Sequence, residues 1–282
     1  PYAHQTDRNL VMALYAMHLA QGHGIQCRTI KSGTIKRYLM AAATISENHK
    51  LPDPRLNSRG ITSPYIYKVL NELKRWEAMP NRREPVTVAM LHKMHALCTI
   101  LHDDSLETAL YDWNVLGIYY GFRLGEWAQN ASTKSMPLRS IDGSPIAFTF
   151  NDITFYGPNR KRLHQTWDTI LDTTAVAEVQ LRWTVQKNLN NGETISQAKN
   201  TNIRLCAVLA ALRVRARAQR LNANEHAVMA VFSNRNKTAF ITNKHITSHL
   251  QAMATAAHGV TSKEELKRWT PHSIRVGACV SL

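Results

Sequence analysis

Along the first 79 residues, apolar positions recur every three or four residues, which is the spacing of one face of a helix. The pattern predicts three helices, in VMALYAMHLA, TIKRYLMAAATI and IYKVLNELKRWEAM. Ser63 and Pro64 precede the third helix as an N-cap and a first-turn proline. The intervening LPDPRLNSRGITSP is rich in Pro, Asn, Ser and Gly, so it predicts a loop. These residues are expected to form a small helical bundle.

The helical pattern resumes after the segment PNRREPVT at residues 80–87. It predicts helices in TVAMLHKMHALCTIL and SLETALYDWNVLGIYYGF, with Thr87 and Ser105 as N-caps and Gly121 interrupting the second. Strand-like segments follow, in IAFTF, ITFY and EVQLRWTVQ. The last of these is expected to turn at Asn190-Asn191-Gly192 into ETIS, which predicts a small sheet with a hairpin.

From Ile203 onward the chain is expected to be helical again, with Gly259 ending the last long helix. The fold class expected is therefore mainly α with a small antiparallel β-sheet. A chain of 282 residues can bury two cores of ordinary size. Because prolines bracket PNRREPVT, we place the domain boundary there. The expected organisation is a helical domain over residues 1–80, a linker over 81–86 and an α+β domain over 87–282.

Composition narrows the class of protein. No apolar run approaches the roughly 20 residues that span a bilayer, and no signal-peptide pattern opens the chain, so we expect a soluble intracellular protein. The four cysteines are widely scattered, which indicates buried thiols rather than a disulfide framework or a structural metal site. The chain begins at Pro1 rather than methionine, as a segment of a longer protein would.

Net charge adds a candidate partner. The chain carries 35 Lys and Arg against 20 Asp and Glu, a formal charge of +15. The excess lies at the two ends: residues 1–84 hold 13 basic and 6 acidic side chains, and residues 201–282 hold 12 and 3. An excess of positive charge of this size favours a polyanionic partner, and nucleic acid is the usual one. A basic surface that is merely solvated is the alternative.

Two positions near helix starts are candidates for anion binding. Thr270 and Pro271 predict a helix start, which places His272 and Arg275 on one face at a helix N-terminus, where a phosphate is favoured. Ordinary surface residues are the alternative there. Arg123 follows a glycine break in an apolar helix, and Glu126 lies three residues on. This pair is either a buried ion pair alone or a carboxylate that orients the guanidinium towards a phosphate.

Lys187 is the third candidate, because it lies close to the turn of the predicted hairpin. A flexible amine at such a turn can reach a neighbouring groove, and a lysine whose pKa is lowered by cationic neighbours is a usable proton donor. A solvated turn lysine is the alternative interpretation.

These residues occur in a recognisable order. GFRLGE, then a lysine in a β-hairpin, then PHSIRVGA resembles the active-site series of the tyrosine recombinases, or phage-type integrases, which cut and rejoin DNA through a phosphotyrosine. The resemblance extends over residues 85–282. Upstream, TIKRYLMAAATI, LPDP and VLNELKRWEAMPNRREPVT resemble the helical core-binding domain and linker of this family, in the form found in eukaryotic mobile elements.

The resemblance implies a role for each residue. Arg123 and Arg275 would clamp the non-bridging oxygens of the scissile phosphate, without a metal ion or another cofactor. Lys187 would protonate the leaving 5′ oxygen, with Lys161 and Lys199 as alternative lysines. His272 would assist proton transfer or hold the phosphate, and Glu126 would support the site.

The resemblance also implies how the protein would meet DNA. Two basic lobes would close around a duplex, and the full-length protein would act as a tetramer in the nucleus or nucleoid. Lys31, Lys36 and Arg37 are candidate backbone contacts in the first lobe, and Thr34 and Lys36 could reach base edges. In the second lobe the candidates are Arg213, Arg215, Arg217 and Arg220, which cannot all face DNA from one helix.

One part of the family pattern is missing. The family places a further His or Trp and then the nucleophilic tyrosine after the HxxR motif, whereas no tyrosine follows Tyr156 in this sequence. A truncated chain, a tyrosine supplied by another polypeptide and a non-cleaving relative are the three explanations. The functional alternatives to a recombinase are a type IB topoisomerase and a catalytically silent DNA-binding protein.

Overall fold

The computed structural model describes residues 5–24, 28–78, 82–128, 146–186 and 191–281. The chain forms two compact units, Pro1–Pro80 and Asn81–Leu282. Both are built mainly from helices, and the described strands form small antiparallel sheets in the second unit.

The first unit contains three helices, α1 (Gln5–Ala20), α2 (Ser32–Asn48) and α3 (Pro64–Trp76). They confirm the three helices that the apolar spacing predicts. Their shared core is made of apolar side chains one or two turns apart: Met12, Ala16, Leu19, Ile35, Leu39 and Ile66. The loop before α3 is held to α1 by Asn9, whose Nδ2 donates to the carbonyls of Pro54 and Leu56 at 2.7 and 3.0 Å.

Seven helices occupy the described part of the second unit: α4 (Val88–Cys98), α5 (Leu106–Tyr120), α6 (Leu124–Trp127), α7 (Ala207–Arg220), α8 (Asn243–His258), α9 (Lys263–Leu266) and α10 (His272–Ser281). Thr87 and Ser105 are confirmed as N-caps, since Thr87 accepts a hydrogen bond from the Met90 amide and Ser105 from the Thr108 amide. Ser63 occupies the N-cap position of α3, but its side chain makes no capping hydrogen bond. The central helix is α5, which packs against α4, α7, α8 and α10.

The predicted sheet is present with one change. Strands β1 (Ile153–Tyr156), β2 (Glu178–Arg182) and β3 (Thr194–Ala198) pair antiparallel in the order β1-β2-β3. Strand β1 corresponds to ITFY, but the predicted strand IAFTF is absent. There, Phe150–Asp152 forms a single 3₁₀ turn, because the Asp152 carboxylate accepts from the amide and hydroxyl of Thr149 at 2.9 Å each.

The expectation of helix throughout the region after Ile203 is wrong at one place. Strands β4 (Val231–Asn234) and β5 (Lys237–Phe240) form a hairpin there. Arg235 and Asn236 make its two-residue turn with φ of 51° and 62°, the left-handed pair that a type I′ turn requires. Neither residue is glycine, so the usual sequence signal of such a turn is missing.

The arginines of α7 form hydrogen bonds and ion pairs within the second unit. Asp112 on α5 is fully buried and accepts from Arg213 Nε and Arg217 Nη2 at 2.6 Å each. Arg217 is 1% exposed, and it also donates to the Asp103 carbonyl. Arg220 pairs with Asp104 at 2.7 Å. Helix α7 is therefore tied to α5 and to the turn before it by charge-assisted hydrogen bonds.

Arg215 is buried without a carboxylate. It is 2% exposed, donates to the carbonyls of Thr166 and Thr169 at 2.7 Å each, and lies 4.7 Å from the Phe150 ring centre. Burial lowers the pKa of Arg215 to about 10, so the group is still a cation at neutral pH. The burial of Arg215 and Arg217 contradicts their prediction as DNA contacts. For the partly exposed Arg213 and Arg220, DNA contact stays a prediction.

Replacing Asp112 with alanine is expected to lower the free energy of unfolding by about 3 kcal/mol or more, because it leaves two arginines without their buried partner. Urea denaturation followed by circular dichroism measures this change. The matched control is Asp168→Ala, since Asp168 is exposed and the change there should cost no more than about 0.5 kcal/mol. Equal effects of the two substitutions would contradict the structural role of Asp112.

Candidate functional site

A cleft of ≈ 580 Å³ in the second unit brings together three residues that the sequence singles out. Arg123, His272 and Arg275 all line it, although some 150 positions separate the first from the other two. Its polar lining consists of Arg83, Arg123, Asn243, Thr247, Thr270, His272 and Arg275. Among the described residues that line this cleft there is no carboxylate, so the side-chain charge facing it is positive.

One wall of the cleft is the start of α10. The Ser273 amide donates to the Thr270 carbonyl at 2.8 Å, and the Ser273 hydroxyl accepts from the Thr270 amide at 3.0 Å. This turn starts the helix at His272, within one residue of the predicted start. His272 is exposed and Arg275 is half-buried one turn later. The Arg275 side chain makes no hydrogen bond or ion pair with the described part of the chain, so its guanidinium donors are available to a ligand.

The opposite wall begins where α5 ends. Gly121, at φ 59°, ends that helix, and Arg123 is the N-cap of the short α6. The Glu126 carboxylate accepts from the Arg123 amide at 2.7 Å and from Arg123 Nη1 at 3.0 Å. Glu126 is itself buried and accepts a third hydrogen bond from Trp183 Nε1 at 3.1 Å. The ion pair between Arg123 and Glu126 is therefore present, and its arginine lines the cleft.

The first turn of α8 supplies a third wall. Asn243 and Thr247 lie one helical turn apart, and the Thr247 hydroxyl donates to Asn243 Oδ1 at 3.2 Å. The side chain of Thr242 caps this 16-residue helix. The N-terminal turns of α8 and α10 thus both border the cleft, and each adds partial positive charge to it. No motif in the sequence singled out Asn243 or Thr247 as candidate site residues.

Arg83 lines the cleft, although its segment was expected to be a linker. It belongs to PNRREPVT, whose described residues pack on α9 and α10. Arg83 Nη1 donates to the Lys267 carbonyl at 2.6 Å, and the Glu84 and Val86 amides donate to the carbonyls of Arg268 and Ser273. Arg268 and Glu84 also form an ion pair. Residues 82–86 are therefore part of the second unit. The two arginines of the segment were the only sequence signal that it could contribute to an anion site.

Lys187 lies outside the described residues. Its loop joins β2 to β3, and Trp183 closes the loop: its amide donates to the Glu193 carbonyl at 2.9 Å and its carbonyl accepts from the Gly192 amide at 2.7 Å. Trp183, at the start of this loop, also donates a hydrogen bond to Glu126, the carboxylate that pairs with Arg123.

The two alternative lysines lie at the other end of the sheet. Lys199 follows Ala198, which pairs with Glu178, and Lys161 follows β1, whose last residue pairs with Glu178 as well. The five residue steps from Glu178 to Trp183 span about 16 Å in a strand. Neither lysine is among the described residues that line the cleft, and Lys199 Nζ donates to the Thr173 carbonyl. Neither alternative lysine therefore lies at the described part of the cleft.

Three of the four tyrosines of the second unit make hydrogen bonds to main-chain carbonyls. The hydroxyls of Tyr111, Tyr119 and Tyr120 donate to the carbonyls of Arg204, Leu205 and Val179. Burial raises the pKa of Tyr111 to about 12 and raises the pKa of Tyr119 and Tyr120 as well. None of these three lines the described part of the cleft. Each is therefore poorly suited to act as a nucleophile.

In the first unit, the predicted DNA contacts lie at the start of α2. Lys31 is its N-cap, and the side chains of Lys31, Thr34, Lys36 and Arg37 are all exposed around the buried Ile35. Their exposure leaves them accessible to a ligand, and their contact with DNA stays a prediction.

No protein-family model matches this chain, and no curated protein matches it. None of the helices in the described ranges is long and apolar enough to cross a membrane. The same ranges contain no group of three His, Cys, Asp or Glu side chains that could hold a metal ion.

Replacing Gly277 with alanine is expected to displace α10, because a Cβ at Gly277 would lie 2.6 Å from the Val86 carbonyl oxygen. We expect a loss of about 2 kcal/mol in unfolding free energy and faster hydrogen exchange of the Val86 amide, which donates to Ser273. The control is Gly33→Ala in α2, where nothing lies within 4 Å and alanine favours the helix. Unchanged Val86 exchange in the Gly277 variant would contradict this packing.

Proposed function

We propose that the cleft binds a DNA phosphodiester and that this chain is the DNA-binding and phosphate-activating part of a site-specific DNA recombinase of the tyrosine recombinase type. One observation carries the proposal: Arg83, Arg123, His272 and Arg275 face one cleft whose described lining lacks a carboxylate. Like charges repel one another, so a cationic cluster of this kind is stabilised when an anion occupies it. The order of the motifs, GFRLGE before PHSIRVGA, adds the resemblance to this family.

The chemistry follows from the two guanidinium groups. Negative charge develops on the non-bridging oxygens of a phosphodiester as a nucleophile attacks phosphorus. Planar guanidinium groups match two such oxygens and stay charged at every physiological pH. In the proposal, Arg123 and Arg275 contact these oxygens, and His272 holds the phosphate or assists proton transfer.

The Arg123–Glu126 pair supports this assignment. Glu126 fixes Arg123 in advance, so less side-chain entropy is lost when the phosphate binds. Lys187 is proposed as the acid that protonates the leaving 5′ oxygen, because its loop begins beside Trp183 and Glu126. Arg83 is a third guanidinium at the cleft, and it is proposed to contact the same or the adjoining phosphate.

The basic composition supports duplex DNA as the partner. A formal charge of +15 favours a polyanion, and the exposed cations at the start of α2 are proposed to contact the DNA backbone. DNA binding is therefore expected to weaken steeply as the salt concentration rises.

A DNA-binding protein that does not cleave is the second candidate function. It is favoured by Tyr111, Tyr119 and Tyr120 of the second unit, whose raised pKa and carbonyl partners make them poor nucleophiles. Under either function, this chain should bind DNA without forming a covalent adduct. The two functions differ in whether the cleft activates the phosphate.

The test uses a duplex whose 3′ end carries a p-nitrophenyl phosphodiester. Water attacks phosphorus, the bond to the aryl oxygen breaks and p-nitrophenolate leaves, so neither a tyrosine nor the acid Lys187 is needed. The chain is expected to accelerate release of p-nitrophenolate, and Arg275→Ala is expected to lower the rate about 100-fold, as does loss of one donor to a developing oxyanion. Duplex affinity, measured by fluorescence anisotropy, should change less than about threefold, because many other phosphate contacts remain.

The matched control is Arg162→Ala, which removes the same charge from an exposed position of the second unit outside the cleft lining. It should leave the release rate unchanged. DNA binding without any acceleration would support the non-cleaving protein. A uniform and large loss of affinity in the Arg275 variant would show that Arg275 is a backbone contact only.

A further inference from the structure

We infer that Trp183 is a positioning residue that holds Arg123 in the cleft and links it to the β2–β3 loop. This inference rests on the proposed function, since it concerns how the phosphate site is ordered. It begins from one contact that no motif indicated, the hydrogen bond from Trp183 Nε1 to Glu126 Oε2 at 3.1 Å.

The contact completes the hydrogen bonding of a buried carboxylate. Glu126 Oε1 accepts from Arg123 Nη1, and Oε2 accepts from both the Arg123 amide and Trp183 Nε1. Glu126 is 6% exposed, so water cannot readily replace a missing donor. A carboxylate with donors at both oxygens has one preferred orientation, and that orientation sets the direction of the Arg123 side chain.

Trp183 is itself held firmly. It is buried, and its ring contacts Phe148 edge-to-face with a centroid separation of 5.4 Å and Tyr120 at 6.1 Å. Its amide and carbonyl both bond across the β2–β3 connection, to Glu193 and Gly192. The indole N–H is thus fixed by ring packing on one side and by backbone pairing on the other.

The position of Trp183 links two parts of the proposed site. It is four residues before Lys187 in the same loop, and it is one hydrogen bond from the carboxylate that holds Arg123. The next residue, Thr184, donates to the buried Asp152 at 2.6 Å and anchors the same end of the loop. The start of the loop is therefore connected to Arg123 through Trp183 and Glu126.

The experiment measures binding of inorganic phosphate by isothermal titration calorimetry at low ionic strength. Trp183→Phe keeps an aromatic ring but removes the donor. A second variant carries the benzothiophene analogue of tryptophan at position 183, in which sulfur replaces the N–H group with little change of shape. Both are expected to weaken phosphate binding about five- to tenfold, the scale of the net contribution of one typical hydrogen bond.

A double-substitution cycle separates positioning from general damage to the fold. Arg123→Ala should weaken phosphate binding, and adding Trp183→Phe to it should produce no further loss, because Trp183 acts through Arg123. The matched control is Tyr120→Phe, which removes a buried hydrogen bond to the Val179 carbonyl in the same aromatic group. It should retain the affinity of the unmodified chain.

Each other outcome overturns the inference. Additive losses in the double variant would show that Trp183 supports the fold independently of Arg123. Full affinity in both Trp183 variants, with Arg123→Ala still impaired, would remove the role of Trp183 and leave the proposed function standing. Absence of phosphate binding by the unmodified chain, or binding that Arg123→Ala leaves unchanged, would contradict the proposed function as well.

Discussion

The packing of α10 on α5 decides where the cleft lies. Ile274 of α10 occupies the space beside Gly117 of α5 that any larger side chain there would need. On the next turn, Gly277 lets the helix approach the backbone of Val86. Small residues on both helices permit this close approach. Since α5 ends at Gly121, two residues before Arg123, its end and the start of α10 place two arginines from distant parts of the sequence at one cleft.

Electrostatics explains why such a cleft indicates an anion. Three arginines of α7 meet carboxylates: Arg213 and Arg217 share Asp112, and Arg220 pairs with Asp104. At the cleft, Arg123 has Glu126, whereas Arg275 makes no ion pair with the described residues. Two helix N-termini add positive charge at the same place. A bound phosphate would supply the missing negative charge.

The elements that the sequence predicted are those fixed by local signals. Thr87, Ser105 and Gly121 act through hydrogen bonds or backbone angles within a few residues, and the structure confirms each. The β4–β5 hairpin was missed because its left-handed turn uses Arg235 and Asn236 rather than glycine. The strand predicted in IAFTF was wrong because Asp152 bonds back to Thr149 and turns the chain there.

Long-range pairing explains the remaining differences at the candidate site. The α7 arginines present a basic pattern, yet their carboxylate partner Asp112 lies about 100 residues earlier, so the pattern alone could not show that Arg217 is buried. Arg83 was assigned to a linker because prolines bracket its segment. Its partner, the Lys267 carbonyl, is 184 residues away and left no local signal. Motif order was enough to single out Arg123, His272 and Arg275, but it gave no reason to consider Trp183.

The central claim is that Arg123 and Arg275 act on one anion. Crystals soaked in selenate, a tetrahedral dianion with an anomalous selenium signal, test this claim most directly. One anomalous peak is expected in the cleft, with selenate oxygens within about 3 Å of both guanidinium groups, a normal hydrogen-bond distance. Selenate bound to only one of these arginines, or found only at sites elsewhere on the surface, would contradict it.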